Sequence, residues 1–238
     1  MDYHAAPLPR TMLRLEHVAM RYGDGPQVLR DVNLTLGRGE FVFVMGPSGV
    51  GKTSLLRLLG LLRPPCAGRL VLFEEEVARL SRDRLAALRR RIGMVFQDVR
   101  LIDHLSAFDN VALPLRINGG QDEQIGNVVF EMLTWLGLGD VIDAMPSSLS
   151  MGQRQLVSVA RAVITRPNLL LADEPTSNME GKTARRLMRL FAQLSRLGTT
   201  VVLSTHSEDL VERYPHPILR LAHGRLKSEP LAALAAAD

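Results

Sequence analysis

Cysteine is almost absent from this sequence, because Cys66 is the only one among 238 residues. One thiol cannot form an internal disulfide, which fits a reducing, cytosolic compartment, and we expect Cys66 to be a small, partly buried hydrophobic residue. Long apolar runs are absent as well. The run at 55–62 is interrupted by Arg57 and falls well short of the ~18 to 20 residues of a membrane span. The first ten residues hold no apolar stretch typical of a signal peptide. Any membrane role is therefore expected to depend on a partner.

Nucleic-acid-binding motifs are missing too, since the sequence contains no zinc-finger, ribonucleoprotein or heptad pattern. The chain is basic, with a formal net charge of +4, and arginines cluster over 82–91. Such a cluster fits an anionic partner, such as nucleic acid or anionic lipid, or a solvated helix face that includes Asp83. Without a supporting motif we favour the solvated face and expect no nucleic-acid partner. The clustered arginines are Arg82, Arg84, Arg89, Arg90 and Arg91.

Hydrophobic residues make up 46% of the chain and charged residues 23%, as in an ordinary globular domain. Apolar patterning predicts strands at 13–20, 28–36, 41–45, 69–73, 92–96, 168–172, 199–204, 218–221 and 225–227, and helices at 53–62, 82–90, 111–117, 124–136, 151–164, 182–197 and 208–214. The sequence thus predicts a single domain over 11–230. It consists of an α/β core at 11–97 and 166–230 and an inserted helical subdomain at about 98–165, followed by a flexible tail at 231–238.

Residues 46–53 fit the pattern G-x-x-x-x-G-K-[ST], preceded by a buried strand and followed by a helix. Glycines in such a loop let consecutive backbone N–H groups point inward to bind an anion, and the helix dipole adds partial positive charge. Lys52 would contact the β- and γ-phosphates of a nucleotide, and the Thr53 hydroxyl is a hard-oxygen ligand for Mg²⁺. The predicted nucleotide-binding residues here are Gly46, Pro47, Ser48, Gly49, Val50, Gly51, Lys52, Thr53 and Ser54.

Two adjacent acids, Asp173 and Glu174, follow the apolar run 169–172. Carboxylates at the end of a buried strand are unfavourable unless they face a cation or have a task. Asp173 would hold magnesium through water, and Glu174 would act as general base on the attacking water. Alone, this run also fits a strand that meets a polar turn. The phosphate-binding loop favours the catalytic interpretation.

The stretch Leu149-Ser150-Met151-Gly152-Gln153 resembles the signature motif of ABC-type ATPases, and it precedes Asp173 and Glu174 as in that family. The resemblance covers about 13–227. It identifies Gln97 as the Q-loop glutamine, a catalytic residue and magnesium ligand. It also identifies His206 as the switch histidine, which contacts the γ-phosphate and orients Glu174, and Tyr22 as the aromatic residue that stacks on adenine.

The family resemblance implies a P-loop NTPase, RecA-like α/β core with an N-terminal antiparallel β subdomain and an inserted helical subdomain. It implies ATP and Mg²⁺ as ligands, with Thr53, Gln97 and Asp173 at the metal. In this family two copies form a head-to-tail homodimer with two ATP molecules at the interface. Ser150 caps a helix whose N-terminus suits a γ-phosphate, so Ser150, Gly152 and Gln153 are expected to contact ATP held by the other copy.

Within the family, the chain is similar to the FtsE-like bacterial cell-division ATP-binding proteins. Such proteins pair with the integral membrane protein FtsX and are thought to regulate cell-wall hydrolysis, which implies a cytoplasmic place at the inner face of the cell membrane. Lipoprotein-release and macrolide-export ATPases share many of the same sequence motifs and remain alternatives. The stretches that carry the similarity are 39–44, 90–98 and 108–115.

A membrane partner is expected to dock in the groove between the α/β core and the helical subdomain, lined by 97–109. The apolar residues Val99, Leu101 and Ile102 follow Gln97 closely, and we expect part of this stretch to be exposed. The alternative, that all of them pack internally, remains open.

Three positions depart from the family pattern. Met151 stands where glycine is usual, Glu180 where aspartate is usual, and Ser207 where an acid is common. These departures favour a weakly hydrolysing, nucleotide-controlled dimerisation switch, whereas intact Glu174 and His206 favour a motor subunit. We expect hydrolysis, and its rate remains open.

Overall fold

Two β-sheets frame the chain in a computed structural model that describes residues 11–177 and 179–229. The strands are β1 (Thr11–Arg21), β2 (Gln27–Gly37), β3 (Phe41–Met45), β4 (Ala67–Leu72), β5 (Glu75–Glu76), β6 (Ile92–Val95), β7 (Leu169–Asp173), β8 (Thr200–Ser204), β9 (Ile218–Ala222) and β10 (Arg225–Glu229). One sheet has the order β2-β1-β4-β5 and is antiparallel. The other has the order β10-β9-β3-β8-β7-β6 and is parallel except for β10.

Seven helices accompany these strands in the described residues. They are α1 (Lys52–Leu59), α2 (Arg82–Arg89), α3 (Ala107–Ile117), α4 (Asp122–Leu136), α5 (Met151–Val163), α6 (Gly181–Arg196) and α7 (Glu208–Arg213). Helices α3, α4 and α5 pack against one another, and all three lie between β6 and β7 in sequence. The predicted fold class, a parallel core with an antiparallel N-terminal sheet and inserted helices, is confirmed.

Strand β3 contributes to two hydrophobic clusters because its alternate side chains point to opposite faces of the sheet. Phe41, Phe43 and Met45 belong to the cluster that packs under α3 to α6. Val42 and Val44 belong to the cluster that includes α1 and the antiparallel sheet. Burial on both faces explains why this strand is a continuous apolar run.

Helix boundaries differ from the sequence prediction where capping residues decide them. Helix α3 begins at Ala107, four residues earlier than predicted, because the Ser106 hydroxyl accepts a 3.1 Å hydrogen bond from the Asp109 amide. Helix α1 ends at Leu59, and Leu61 has a φ of 56°, which ends the helical path before the predicted Leu62. The two-residue strand β5 is too short to give a periodic signal.

The prediction for Cys66 is wrong, because this residue is exposed. It lies in the turn just before β4, where its amide donates to the Ala19 carbonyl at 2.8 Å, so the backbone rather than the thiol is held by the fold. The predicted tail, 231–238, lies outside the described residues. Within the described part of the chain, no helix has the length and apolar character needed to cross a membrane.

The arginine cluster is largely tied to the protein itself. Arg84 donates two hydrogen bonds to Glu75 at 2.7 and 2.6 Å, and this interaction lowers the pKa of the Glu75 carboxyl. Arg89 donates to the Leu61 carbonyl at 2.9 and 3.2 Å. Arg91 lies over the Phe73 ring, 3.9 Å from its centroid. These guanidinium groups therefore fix α2 and its neighbours.

Candidate nucleotide-binding and catalytic site

The loop between β3 and α1 has the backbone that an anion-binding loop requires. Gly46, Gly49 and Gly51 have φ values of 151°, 78° and 111°, a region that favours glycine. A Cβ atom at Gly46 would lie 2.4 Å from the Leu221 carbonyl oxygen, so only glycine fits there. Pro47, Ser48, Gly49 and Val50 line an open cleft of about 560 Å³ beside this loop.

Lys52 lies at the start of α1 and is only 8% exposed. Its Nζ donates to the Gly46 carbonyl at 2.7 Å and to the Pro47 carbonyl at 3.2 Å. Among the described residues, the hydrogen-bond partners of this buried ammonium group are carbonyl oxygens and not carboxylates. A cation held against the loop in this way is suited to an incoming phosphate.

Thr53 and Asp173 meet across the site although 120 residues separate them in sequence. The Thr53 hydroxyl donates to Asp173 Oδ2 at 2.6 Å, and the Ser204 hydroxyl donates to Asp173 Oδ1 at 2.5 Å. Strand pairing explains the second contact, because Asp173 and Ser204 are register partners at the carboxyl ends of β7 and β8. A hydroxyl and a carboxylate at this edge are hard-oxygen ligands that fit Mg²⁺.

Glu174 follows β7 with a φ of 47°, and its backbone amide donates to the Ser204 carbonyl at 3.1 Å. Its carboxylate is buried, at 6% exposure for the residue, and Oε1 lies 2.7 Å from His206 Nδ1. The His206 side chain is 67% exposed. A buried carboxylate beside an exposed imidazole can accept a proton from water while the imidazole faces a bound ligand.

Tyr22 is fixed beside the phosphate-binding loop by polar contacts at its hydroxyl. The hydroxyl lies 3.0 Å from Ser54 Oγ and accepts from Arg57 Nη1 at 3.5 Å. Arg63 lies 5.7 Å from the ring centroid. Ser54 thus faces Tyr22 from the first turn of α1, which places the predicted adenine-stacking ring next to the loop.

The signature stretch forms the beginning of α5. Ser150 Oγ accepts from the Gln153 amide at 3.2 Å, and Gln153 Oε1 accepts from the Ser150 amide at 2.8 Å, which is a capping box. Met151, the first helical residue, is 48% exposed. Within the described chain, no hydrogen bond joins 150–153 to the phosphate-binding loop.

Gln97 lies two residues beyond β6, whose carboxyl end neighbours that of β7. It lines a cleft of about 1030 Å³ together with Met151, Arg154 and Ser177. The cleft thus brings the predicted Q-loop residue and the signature helix to one surface. Gly152 lies one residue further along α5 and is half-buried.

Two of the departures from the family pattern lie at helix starts. Ser207 Oγ accepts from the Leu210 amide at 3.2 Å and caps α7. Glu180 precedes α6, is exposed and makes no side-chain capping bond. Ser207 therefore has a local structural role that its position after the switch histidine did not suggest.

Sequence reasoning missed Ser204, which contacts both Asp173 and the Glu174 backbone. The available signal was its position at the end of the apolar run 201–203, in a predicted strand. A polar residue at the carboxyl end of a buried parallel strand is a candidate site residue.

Comparisons with known proteins agree with this geometry. The family model described as "ABC transporter" matches residues 29–177. The cell division ATP-binding proteins FtsE of Mycobacterium tuberculosis and Escherichia coli K12 are each 39% identical over 90% of this chain, and the matches cover 94% and 97% of those proteins. The methionine import ATP-binding protein MetN of Xanthomonas axonopodis pv. citri is 40% identical over 90% of this chain and 65% of its own length.

Solved structures of ATP-binding cassettes are also similar to this chain. A dimeric ATP-binding cassette in a post-hydrolysis state, bound to ADP and Pi, superimposes with a TM-score of 0.86 at 35% identity, covering 92% of this chain and 99% of that one. A dimeric bacterial ABC transporter cassette superimposes with a TM-score of 0.87 at 36% identity and the same coverage. This chain therefore belongs to the ABC transporter ATP-binding family, and it is an ABC-type ATPase.

Proposed function

We propose that this ATPase is the nucleotide-hydrolysing subunit of an FtsE-like cell-division complex. It would act at the inner face of the cell membrane with an integral membrane partner resembling FtsX and control cell-wall hydrolysis. The observation that carries the proposal is similarity to cell-division proteins over 94% and 97% of their length. The relatives' names describe those proteins, and the role is extended here to this chain.

A transport role is the second candidate, favoured by the 40% identity to a methionine import ATP-binding protein. Lipoprotein-release and macrolide-type transporters belong to this same class. A weakly hydrolysing dimerisation switch is the third and rests on Met151, Glu180 and Ser207. These candidates share the nucleotide chemistry and differ in the partner that uses it.

The proposed chemistry follows from the contacts. Lys52 and the backbone of 46–51 bind the phosphates of ATP, with Tyr22 beside the adenine. Thr53, Asp173 and Gln97 would hold Mg²⁺, which would supply charge neutralisation at the transferred phosphoryl group. Glu174 accepts the proton of the attacking water, and His206 keeps the Glu174 carboxylate in place through its 2.7 Å contact.

The proposed working unit is a homodimer. Ser150, Gly152 and Gln153 would meet the γ-phosphate of ATP bound to the other copy, because the capped start of α5 leaves amide groups free and carries positive partial charge. Two such contacts are equivalent under a two-fold axis. The dimeric cassettes at 35 and 36% identity support this arrangement.

The apolar residues expected to line the docking groove at 97–109 differ in how far they are available to a partner. Val99, Leu101 and Ile102 are all half-buried, and Leu101 packs against the cluster beneath α3 to α6. Val99 does not belong to that cluster, and it lines the cleft beside Gln97. Val99 is therefore the apolar position of this stretch best placed for contact with a membrane partner.

Co-expression with the FtsX-like protein of the same genome tests the cell-division role. We expect both proteins to co-purify from detergent-solubilised membranes, and Val99→Glu to abolish recovery while ATP affinity stays within about twofold, since the site does not include Val99. Leu197→Glu, which places the same charge at an exposed apolar position after α6 and outside the cleft, is the control. Recovery with a transporter permease instead of the FtsX-like protein would assign the chain to the transport class.

A further inference from the structure

The sequence between α3 and the signature helix has an unusual charge distribution. Residues 118–153 contain no lysine, arginine or histidine, although the whole chain has a net charge of +4. The acids of this stretch are Asp122, Glu123, Glu131, Asp140 and Asp143. Glu131, Asp140 and Asp143 have no ion-pair partner in the described part of the chain, so their negative charge faces solvent.

Helix α4 carries exposed apolar side chains in addition to its buried face. Its buried face consists of Ile125, Val129, Leu133 and Leu136. Val128 and Trp135 are 45% and 46% exposed on one flank of that face, and Phe130 is 56% exposed on the other flank. Three of the eight large hydrophobic residues exposed in the described structure therefore lie on this one helix.

A groove of about 650 Å³ runs beside Phe130. It lies between α4, the start of α3 and residues 139–144, and we call it the α4 groove. Its apolar lining includes Phe108, Phe130 and Ile142, and its acidic lining consists of Asp140 and Asp143. The walls are fixed by backbone hydrogen bonds from Ala107 to Ala144 at 2.9 Å and from Phe108 to Ile142 at 2.8 Å. The groove is thus formed before any partner arrives.

Gly126 lines the α4 groove from the interior of α4. A glycine inside a helix destabilises it relative to alanine. A Cβ atom at this position would meet no atom within 4 Å, so no contact within the described protein requires glycine. Glycine would be favoured at this position if another chain passed close over the groove, because the absence of a side chain leaves room for that chain.

We propose that the α4 groove is a docking site for a cationic amphipathic segment of a partner protein. An apolar side chain of that segment inserts beside Phe130 and Phe108, and its lysine or arginine side chains face Asp140, Asp143 and Glu131. Its backbone passes close to Gly126. Among the described residues that line the groove, none is a lysine, arginine or histidine.

Trp135 is the only tryptophan of the chain, so its emission reports on α4 alone. The probe is a 14-residue helical peptide with leucine on one face and lysine on the other, titrated into the wild-type ATPase; a peptide with glutamate in place of lysine is the control. We expect a saturable emission shift with the lysine peptide, weakened by salt, and none with the glutamate peptide.

Matched variants locate the binding site. The double change Asp140→Asn, Asp143→Asn and the single change Phe130→Ser should each weaken lysine-peptide affinity at least ~10-fold. Asp209→Asn and Leu197→Ser, which alter an exposed acid and an exposed leucine away from the groove, should leave the affinity unchanged. Equal binding of both peptides, or equal loss in both sets of variants, would overturn the proposal.

Gly126→Ala separates docking from folding. It should raise the unfolding midpoint by ~2 to 4 °C, because alanine is the better helix former, and still weaken peptide binding at least ~10-fold. Unweakened binding by Gly126→Ala would overturn the close approach. A Trp135 shift that depends on protein concentration, without peptide and together with dimer formation, would assign this face to a second copy of the chain instead.

Discussion

The Glu174 carboxylate is buried, and its one side-chain hydrogen bond in the described structure is the 2.7 Å contact with His206. Glu174→Gln preserves the shape of the side chain and removes its basicity. We expect phosphate release to fall by ~10² to 10⁴-fold, the usual contribution of a general base, while ATP affinity is retained. Steady-state phosphate release and equilibrium binding of a fluorescent ATP analogue measure the two effects.

Glu208→Gln provides the matched control for Glu174→Gln. Glu208 is exposed in the first turn of α7, two residues beyond His206, and the same chemical change there should leave turnover unchanged. Wild-type turnover in Glu174→Gln would remove Glu174 as the base and leave the His206 contact as a structural one.

Met151 tests whether the unusual signature slows the enzyme. Its side chain is 48% exposed at the start of α5, where the backbone amide groups approach the other copy's nucleotide in the proposed dimer. Because a methionine there can shield this approach, Met151→Gly should raise turnover by a factor of about 2 to 5, which corresponds to less than ~1 kcal/mol. ATP affinity of the monomer should be unchanged. A fall in turnover would mean that Met151 packs productively against the other copy.

Some residues of the site can be predicted from the sequence, and others cannot. The phosphate-binding loop and the capping role of Ser150 could be predicted because they depend on neighbours in sequence. Ser204 could not, because its role depends on the register of β8 against β7. The half-burial of Val99 and Ile102 was likewise beyond local patterns, because packing between distant elements decides it.

At the scale of elements, a buried amide joins the segment after Gln97 to α3 and α5. Asn110 is fully buried in α3. Its Oδ1 accepts from the Ile102 amide at 2.9 Å and from Arg161 Nη1 at 3.2 Å. Its Nδ2, which carries two hydrogens, lies 2.9 to 3.1 Å from the carbonyl oxygens of Ile102, Leu105 and Ser106. One side chain thus holds residues 102–106 in place.

Arg161 extends the same network from α5. Its guanidinium also donates to the Arg100 carbonyl, and burial lowers the pKa of this group from its ordinary value. Because α5 begins at the signature residues, the network connects the surroundings of Gln97 with the helix that faces the other copy in the proposed dimer. A displacement of either element changes the hydrogen bonds of the other.

Asn110→Ala tests the importance of this network. The change leaves several buried backbone groups without a partner, so we expect the free energy of unfolding to fall by ~2 to 4 kcal/mol. Asn127→Ala, an exposed amide on α4, should change it by less than ~0.5 kcal/mol. Urea unfolding followed by Trp135 emission compares the two. A similar small change in both variants would show that water replaces the Asn110 contacts.

The sequence predicted which helices and strands are present better than it predicted their first and last residues. The apolar period predicted α4 and α6, whose buried residues recur every three or four positions. The start of α3 depended on a serine cap that the apolar pattern does not contain. The antiparallel sheet was implied by family resemblance, and its strand order follows from pairings between residues far apart in sequence.

For the whole molecule, the described contacts join Thr53 to Asp173 and Glu174 to His206, and none of them joins the start of α5 to these residues. Met151, the first residue of α5, lines a cleft together with Gln97. A second copy related by a two-fold axis would supply the missing helix start to each site. Dimer formation should therefore require ATP, and hydrolysis should end it.

Glu174→Gln makes this dimer observable, because ATP remains bound when hydrolysis stops. With ATP and Mg²⁺, we expect this variant to elute as a dimer in size-exclusion chromatography and as a monomer with ADP, since only the γ-phosphate engages the start of α5 in the other copy. The double variant Lys52→Ala, Glu174→Gln is the control. It loses the buried cation that contacts the phosphates and should stay monomeric with ATP. A dimer of Glu174→Gln that forms equally with ADP would place the interface outside the γ-phosphate contact, and the role of Ser150 would then be limited to capping α5.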